Sequence, residues 1–183
     1  MSRDDDITSL GTFQGETNMV TNFISLTRDN IVWGIGGPLA GHRANIAFGK
    51  SWDLDGDKYE LTTLHFDLRH YMNIGSRVVL AQRFVSRNAW GSDVQLFYLG
   101  GAWDLRGYGY RQFAGRKMML YNAELRFPLL DRLLLNFPVG HIDFPMFRGS
   151  LFFDAGTVSG FVYDPGWLGS IGAGVEMNLG YLP

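Results

Sequence analysis

From Gly169 to Leu179 the chain alternates strictly. Ile171, Ala173, Val175, Met177 and Leu179 fall on one side of an extended backbone, and Ser170, Gly172, Gly174, Glu176 and Asn178 on the other. Successive strand side chains point to opposite faces, so this pattern gives one apolar and one polar face. It recurs along the chain. Leu151, Phe153 and Ala155 oppose Arg148, Ser150 and Asp154. Met119, Tyr121, Ala123, Leu125 and Phe127 oppose Asn122, Glu124 and Arg126. Leu64, Phe66 and Leu68 oppose His65, Asp67 and Arg69, and Ala44, Ile46, Phe48 and Trp52 oppose Arg43, Asn45, Gly49 and Ser51. Val78, Leu80 and Phe84 share a face with Gln82 and oppose Arg77, Arg83 and Arg87, while Ile24 and Leu26 mark a weaker strand. Helical periodicity is hard to find, so the chain is read as all-β with about seven strands. Asp29-Asn30, Asp55-Gly56 and Asn73-Ile74-Gly75 supply turn punctuation between them.

Two architectures accommodate such strands. In a soluble sandwich the apolar faces meet in a core and the charges face water. In an outer-membrane barrel the apolar faces meet lipid and the polar faces line a wet lumen. Alternation does not separate them, but strand length favours the barrel. A spanning strand needs ~9–11 residues, a soluble strand averages ~5–6, and several of these patterns run to the longer figure. Trp52, Tyr59, Tyr71, Tyr121 and Phe127 lie near strand ends, as interfacial aromatic girdles do.

Composition narrows the function classes. The 183 residues suit a single domain, and no internal boundary is visible. With 16 basic and 18 acidic residues the net charge is -2, which argues against a nucleic-acid footprint. Cysteine is absent, which removes disulfide frameworks and thiolate metal sites. The longest stretch without Asp, Glu, Lys or Arg, Asn30 to His42, is broken by Pro38 and several glycines, so no run reaches the ~18 apolar residues of a membrane helix. The acidic start Arg3-Asp4-Asp5-Asp6 is not a secretory signal. Residues 1–17 read as a frayed or truncated segment, and 18–183 as a partial barrel domain.

Between the strands at Ser76–Arg87 and Lys117–Phe127 lies a long connection, a length that is uncommon without a function. It contains Gly100-Gly101 and Leu105-Arg106-Gly107-Tyr108. This loop, the following Asn122-Ala123-Glu124-Leu125-Arg126-Phe127-Pro128-Leu129, the strand Phe153-Asp154-Ala155-Gly156 and the stretch Gly172–Asn178 resemble, in order and spacing, the bacterial surface antigen superfamily. That family comprises BamA-like outer-membrane insertases and two-partner-secretion transporters. The stretch from Thr27 to Arg43 resembles it too.

The resemblance implies an antiparallel transmembrane β-barrel in the bacterial outer membrane, with the loop folded into the lumen and Arg106 paired with Asp154. Glu124, inward by parity, stands as a second partner, and Gly107 and Gly109 permit a tight backbone path. A guanidinium can meet a carboxylate through two parallel hydrogen bonds, fixing geometry as well as charge. Read without the neighbouring motifs, Arg106 is a solvated loop charge. The implied function is insertion or translocation of unfolded outer-membrane or secreted proteins by a lipid-embedded conduit rather than a catalyst, with no cofactor and no nucleic acid. The alternatives are a passive barrel anchoring a periplasmic domain and a soluble ligand-binding sandwich. In the family, further strands follow the one that Gly169–Leu179 resembles, so the sequence reads as an excerpt of a larger barrel.

Other motifs carry less. Asp53-Leu54-Asp55-Gly56-Asp57 begins like a calcium loop, but the twelfth position is Leu64, inside a strand, so a hairpin turn is expected. His42, His65, His70 and His141 lack metal spacing, and Gly34-Ile35-Gly36-Gly37-Pro38 matches a phosphate loop only in glycine content. Leu133-Leu134-Leu135 with Phe137, Phe144 and Phe147 forms an apolar connection that reads equally as an interfacial anchor or a turn against the rim.

Overall fold

A computed structural model describes residues 18–34, 36–54, 60–92, 95–130, 133–144, 146–161 and 164–178. Among them there is no helix. Seven long strands build the main sheet: β1 (Met19–Asp29), β3 (Gly37–Asp53), β4 (Glu60–Gly75), β5 (Val78–Gly91), β8 (Lys117–Leu130), β11 (Met146–Ser159) and β12 (Leu168–Asn178). Short strands fill the connections: β2 (Val32–Gly34), β6 (Phe97–Leu99), β7 (Phe113–Gly115), β9 (Leu133–Phe137) and β10 (Gly140–Phe144). The sheet order is β1-β3-β4-β5-β8-β11-β12, with β2 on β3, and all pairs are antiparallel. Each long strand therefore lies beside its successor among the long strands, the meander of an up-and-down wall.

Strand lengths of 11 to 17 residues exceed what a small soluble sheet needs and meet what a bilayer crossing needs. The register aligns the apolar positions across the sheet. Leu26 faces Ile46, which faces Phe66; Leu80 faces Leu125, which faces Leu151. This outer face is bare: Ile24 is 73% and Ile171 81% exposed. A sandwich would need a second large sheet over it. The other sheets among the described residues, β6-β7 and β9-β10, have two strands each. An extensive exposed apolar face of this kind is what the wall of a membrane β-barrel presents.

The inner face is where burial occurs. Val85 and Ala89 of β5, Met118 and Leu120 of β8 and Val158 of β11 form a core with Phe97, Leu99 and Leu105 from the connection between β5 and β8. Sequence alternation assigns those β8 and β11 positions to the polar face. They are apolar there because the connection folds back and covers them near its own end of the strands.

Several sequence expectations shift in detail. Tyr71, read as a girdle residue, shares the inner face with Asp67 and Arg69 and borders an internal cavity. The uncharged stretch from Asn30 to His42 holds β2 and the start of β3. The apolar connection after β8 is a hairpin in which Leu135 faces Ile142 and Phe137 faces Gly140. Residues 1–17, Tyr59, the centre of the Asp53–Asp57 turn and the stretch beyond Asn178 lie outside the described residues.

Candidate functional site

The connection from β5 to β8 is shaped by its glycines. Gly100 and Gly101 have φ of +117° and +112°, which side-chain-bearing residues rarely adopt. A Cβ on Gly100 would lie 2.5 Å from the Gly109 carbonyl oxygen. The Gly101 amide donates to the Leu105 carbonyl at 3.2 Å, and the Arg111 amide to the Gly100 carbonyl at 3.1 Å. This closed turn drops Leu105, fully buried, into the inner-face core and aims the next side chain along the wall. Gly107 follows at φ +84°. Gly109, by contrast, is not left-handed; its amide donates to Gln112 Oε1 at 2.7 Å.

Arg106 meets two carboxylates. Its Nε and Nη2 donate to Oδ2 and Oδ1 of Asp154, both at 2.8 Å, and its backbone amide donates to Oδ2 at 3.2 Å. Its Nη1 donates to Glu124 Oε2 at 2.8 Å. The guanidinium carbon sits 3.5 Å from the centre of the Phe152 ring, a cation–π contact. Space for that ring comes from Gly172 on β12, where a Cβ would lie 2.4 Å from Phe152 Cζ.

Asp154 is completely buried. Besides Arg106 it accepts from Asn122 Nδ2 at 2.8 Å, and the same amide group donates to the Asp104 carbonyl at 2.7 Å. Four hydrogen bonds on one carboxylate offset the cost of burying its charge, which would otherwise be several kcal/mol. Glu124 is shared with Arg126, whose Nε donates to Oε1 at 2.8 Å. Tyr108 reaches further, with its hydroxyl donating to the Gly169 carbonyl at 3.2 Å and its ring edge-on to Phe113. Gly156 lies where a Cβ would come within 3.0 Å of Leu99 Cδ2, so the missing side chain lets the connection approach β11.

Leu105, Arg106, Gly107, Tyr108, Asp154, Glu124, Gly100, Gly101 and Gly156 are thus brought into one region of the inner face. Sequence reasoning missed Asn122 as a bridge and Phe152 as the platform under Arg106. It also missed a second cluster. Asp67 accepts from Arg69 Nε at 3.0 Å and from Arg83 Nη2 at 3.0 Å, and Arg83 Nη1 lies 3.8 Å from Asp104 Oδ1. Arg83 of β5 is therefore tied to the same connection, and Arg69 of β4 to Arg83 through their shared Asp67. Their inward parity was readable; their partners were not, because Asp104 sits in irregular backbone.

The arrangement is a rigid, charge-paired anchorage of a loop to a strand wall, with a cavity of about 350 Å³ between Arg83, Asp104, Arg106, Glu124 and Arg126. No curated protein matches the chain. Residues 12–183 match the model of the Omp85 superfamily domain, a family of bacterial outer-membrane β-barrels, and an open antiparallel wall with an apolar outside and a charged inside is what such a barrel requires; the chain belongs to the Omp85 superfamily.

Proposed function

We propose that the chain supplies wall strands to an outer-membrane barrel that inserts or translocates unfolded proteins, working as a conduit or scaffold without catalysis. In this reading residues 18–183 act as the barrel unit. The segment Leu105-Arg106-Gly107-Tyr108 is folded into the lumen and held by Asp154, with Glu124 as second anchor. The observation that carries the reading is the two-point Arg106–Asp154 contact on a carboxylate with no solvent exposure. A buried pair this well bonded sets loop geometry, and in a wet lumen that geometry determines the passage left beside the wall.

The test uses the full-length protein in liposomes with an unfolded outer-membrane protein as client. Asp154→Arg and Arg106→Asp singly should slow client insertion or translocation, and the double exchange should recover part of it. Barrel folding is followed separately by heat-modifiable gel mobility. Unchanged folding and activity in Asp154→Arg overturns the lumen-loop reading. A wild-type protein that folds but accelerates no client points instead to the passive anchoring barrel.

A further inference from the structure

The end of the wall opposite the Arg106 loop has its own inward-turned segment. Strand β3 pairs with β4 only as far as Gly41, which faces Tyr71, although β4 runs on to Gly75 beside β5. From Ala40 back to Gly37 the chain leaves β4 and pairs with β2 instead. The departure is built in. Gly41 has φ +98°, and a Cβ there would lie 2.4 Å from the Asn30 carbonyl oxygen. Asn30 clasps the bend on both sides: its amide donates to the His42 carbonyl at 3.0 Å, and its Oδ1 accepts from the His42 amide at 2.7 Å.

The hairpin tip lands far from its own strand. Arg148 on β11, on the inner face with Asp154, donates through Nη1 to the Gly36 carbonyl. In sheet order β11 is separated from β3 by β4, β5 and β8. At about 4.8 Å per strand that is roughly 19 Å along a flat sheet. A short hairpin reaches Arg148 only by crossing the interior as a chord. Beneath it lies a cavity of about 390 Å³ lined by Pro38, Leu39, Val79, Arg126, Pro128 and Arg148. Arg126 of β8 lines both this cavity and the one under the Arg106 loop. Arg148 holds a second partner, Glu176 Oε2 at 3.4 Å, which keeps its charge compensated when the carbonyl is released.

We propose that the β2–β3 hairpin is a strap across the barrel interior at the end opposite the Arg106 loop, latched by Arg148 and opened by loss of the Arg148–Gly36 bond. The inference rests on the barrel reading above. A guanidinium donating to one uncharged backbone carbonyl makes a single-point latch, weaker than the guanidinium–carboxylate pairs that hold the other loop.

The experiment uses the full-length protein, whose sequence here contains no cysteine. Leu39→Cys is introduced and labelled with a membrane-impermeant maleimide in proteoliposomes, with and without Arg148→Ala. Release of a charged hydrogen bond predicts labelling about tenfold faster in the Arg148→Ala background, with Arg148→Lys in between. Equal labelling rates in the three backgrounds overturn the strap. A second measurement is ion conductance in planar bilayers after Ile31–Ala40 is replaced by an Asn-Gly turn. Conductance should rise several-fold, and a folded barrel with unchanged conductance also overturns the strap. Client insertion is measured in parallel. A protein that inserts clients normally yet shows no hairpin effect fails this proposal alone, whereas one that never forms a barrel fails both.

Discussion

Strands β8 and β11 and the flanking strands β1 and β12 use the same alternation and meet different surroundings. On β8 and β11 the inner face is covered, and it holds paired charges: Asp154, Glu124, Arg126 and the incoming Arg106. On β1 the inner face carries mostly neutral groups, with Asp29 at its last position 3.8 Å from Arg43 of β3. Asn45 Nδ2 donates to Ser25 Oγ at 2.9 Å and Thr27 Oγ1 at 2.7 Å, and the Thr21 and Ser51 hydroxyls lie 2.9 Å apart. Close, buried charge pairing is found where the loop covers the wall, whereas the flanks combine hydroxyls and amides with longer ion pairs, Asp29–Arg43 at 3.8 Å and Arg148–Glu176 at 3.4 Å. Burial explains the difference. A covered, well-partnered ion pair has a defined geometry, whereas an exposed one contributes little. On the outer face both regions expose apolar side chains, Ile24 and Leu26 on β1, Ile171 and Val175 on β12, Leu151 and Phe153 on β11.

Breaking the centre should cost most. Asp154→Ala leaves the Arg106 guanidinium facing only Glu124 and leaves Asn122 without its side-chain acceptor. The expected loss is about 3–5 kcal/mol in urea unfolding of the folded barrel in liposomes. Arg106→Ala should be of similar size, and the double variant clearly less than the sum, because one buried charge no longer lacks its counterpart. On the flank, Ile171→Arg puts a charge into the exposed apolar outer row, and the same measurement should register a loss of about 2–4 kcal/mol if the residue lies at mid-bilayer. A loss near zero would place that strand outside the membrane.

Smaller effects sharpen the contrast. Gly156→Leu forces a side chain against Leu99, so the loop should shift and cost about 1–3 kcal/mol. Faster protease cleavage at Arg111 would report the shift. Thr27→Ala removes one hydroxyl from an exposed ladder, and a change within about 1 kcal/mol is expected. A larger value would mean that the flank's inner face is covered in the membrane.

Much of the wall was legible in the residues. Counting from Leu151 to Asp154, or from Leu125 to Glu124, separates outside from inside because a strand has no other choice. The strand ends were less legible. β3 begins at Gly37, inside a glycine-rich stretch with no alternation, because it pairs there with β2 outside the main sheet. Met118, Leu120 and Val158 break the polar face for a reason in the loop rather than the strand. As for the site, the pairing of Arg106 with Asp154 entered from resemblance and not from spacing. The two residues are 48 positions apart, and nothing in either segment encodes a distance. Asn122 and Phe152 stayed invisible because an amide and an aromatic on an inner face have many possible neighbours.

The sequence by itself determined that this chain forms long antiparallel strands with a lipid-suited side and a charged side, because period-two alternation is a local property of extended backbone. It also determined where the connection between β5 and β8 can bend, through glycines that alone tolerate positive φ at low cost. Only the tertiary structure decided which charges meet, that the loop supplies an apolar core to the inner face, and that the β2–β3 hairpin crosses to Arg148. Those contacts join residues far apart in the chain, and their distances depend on sheet curvature and loop path, which accumulate over many residues and are written in none of them singly.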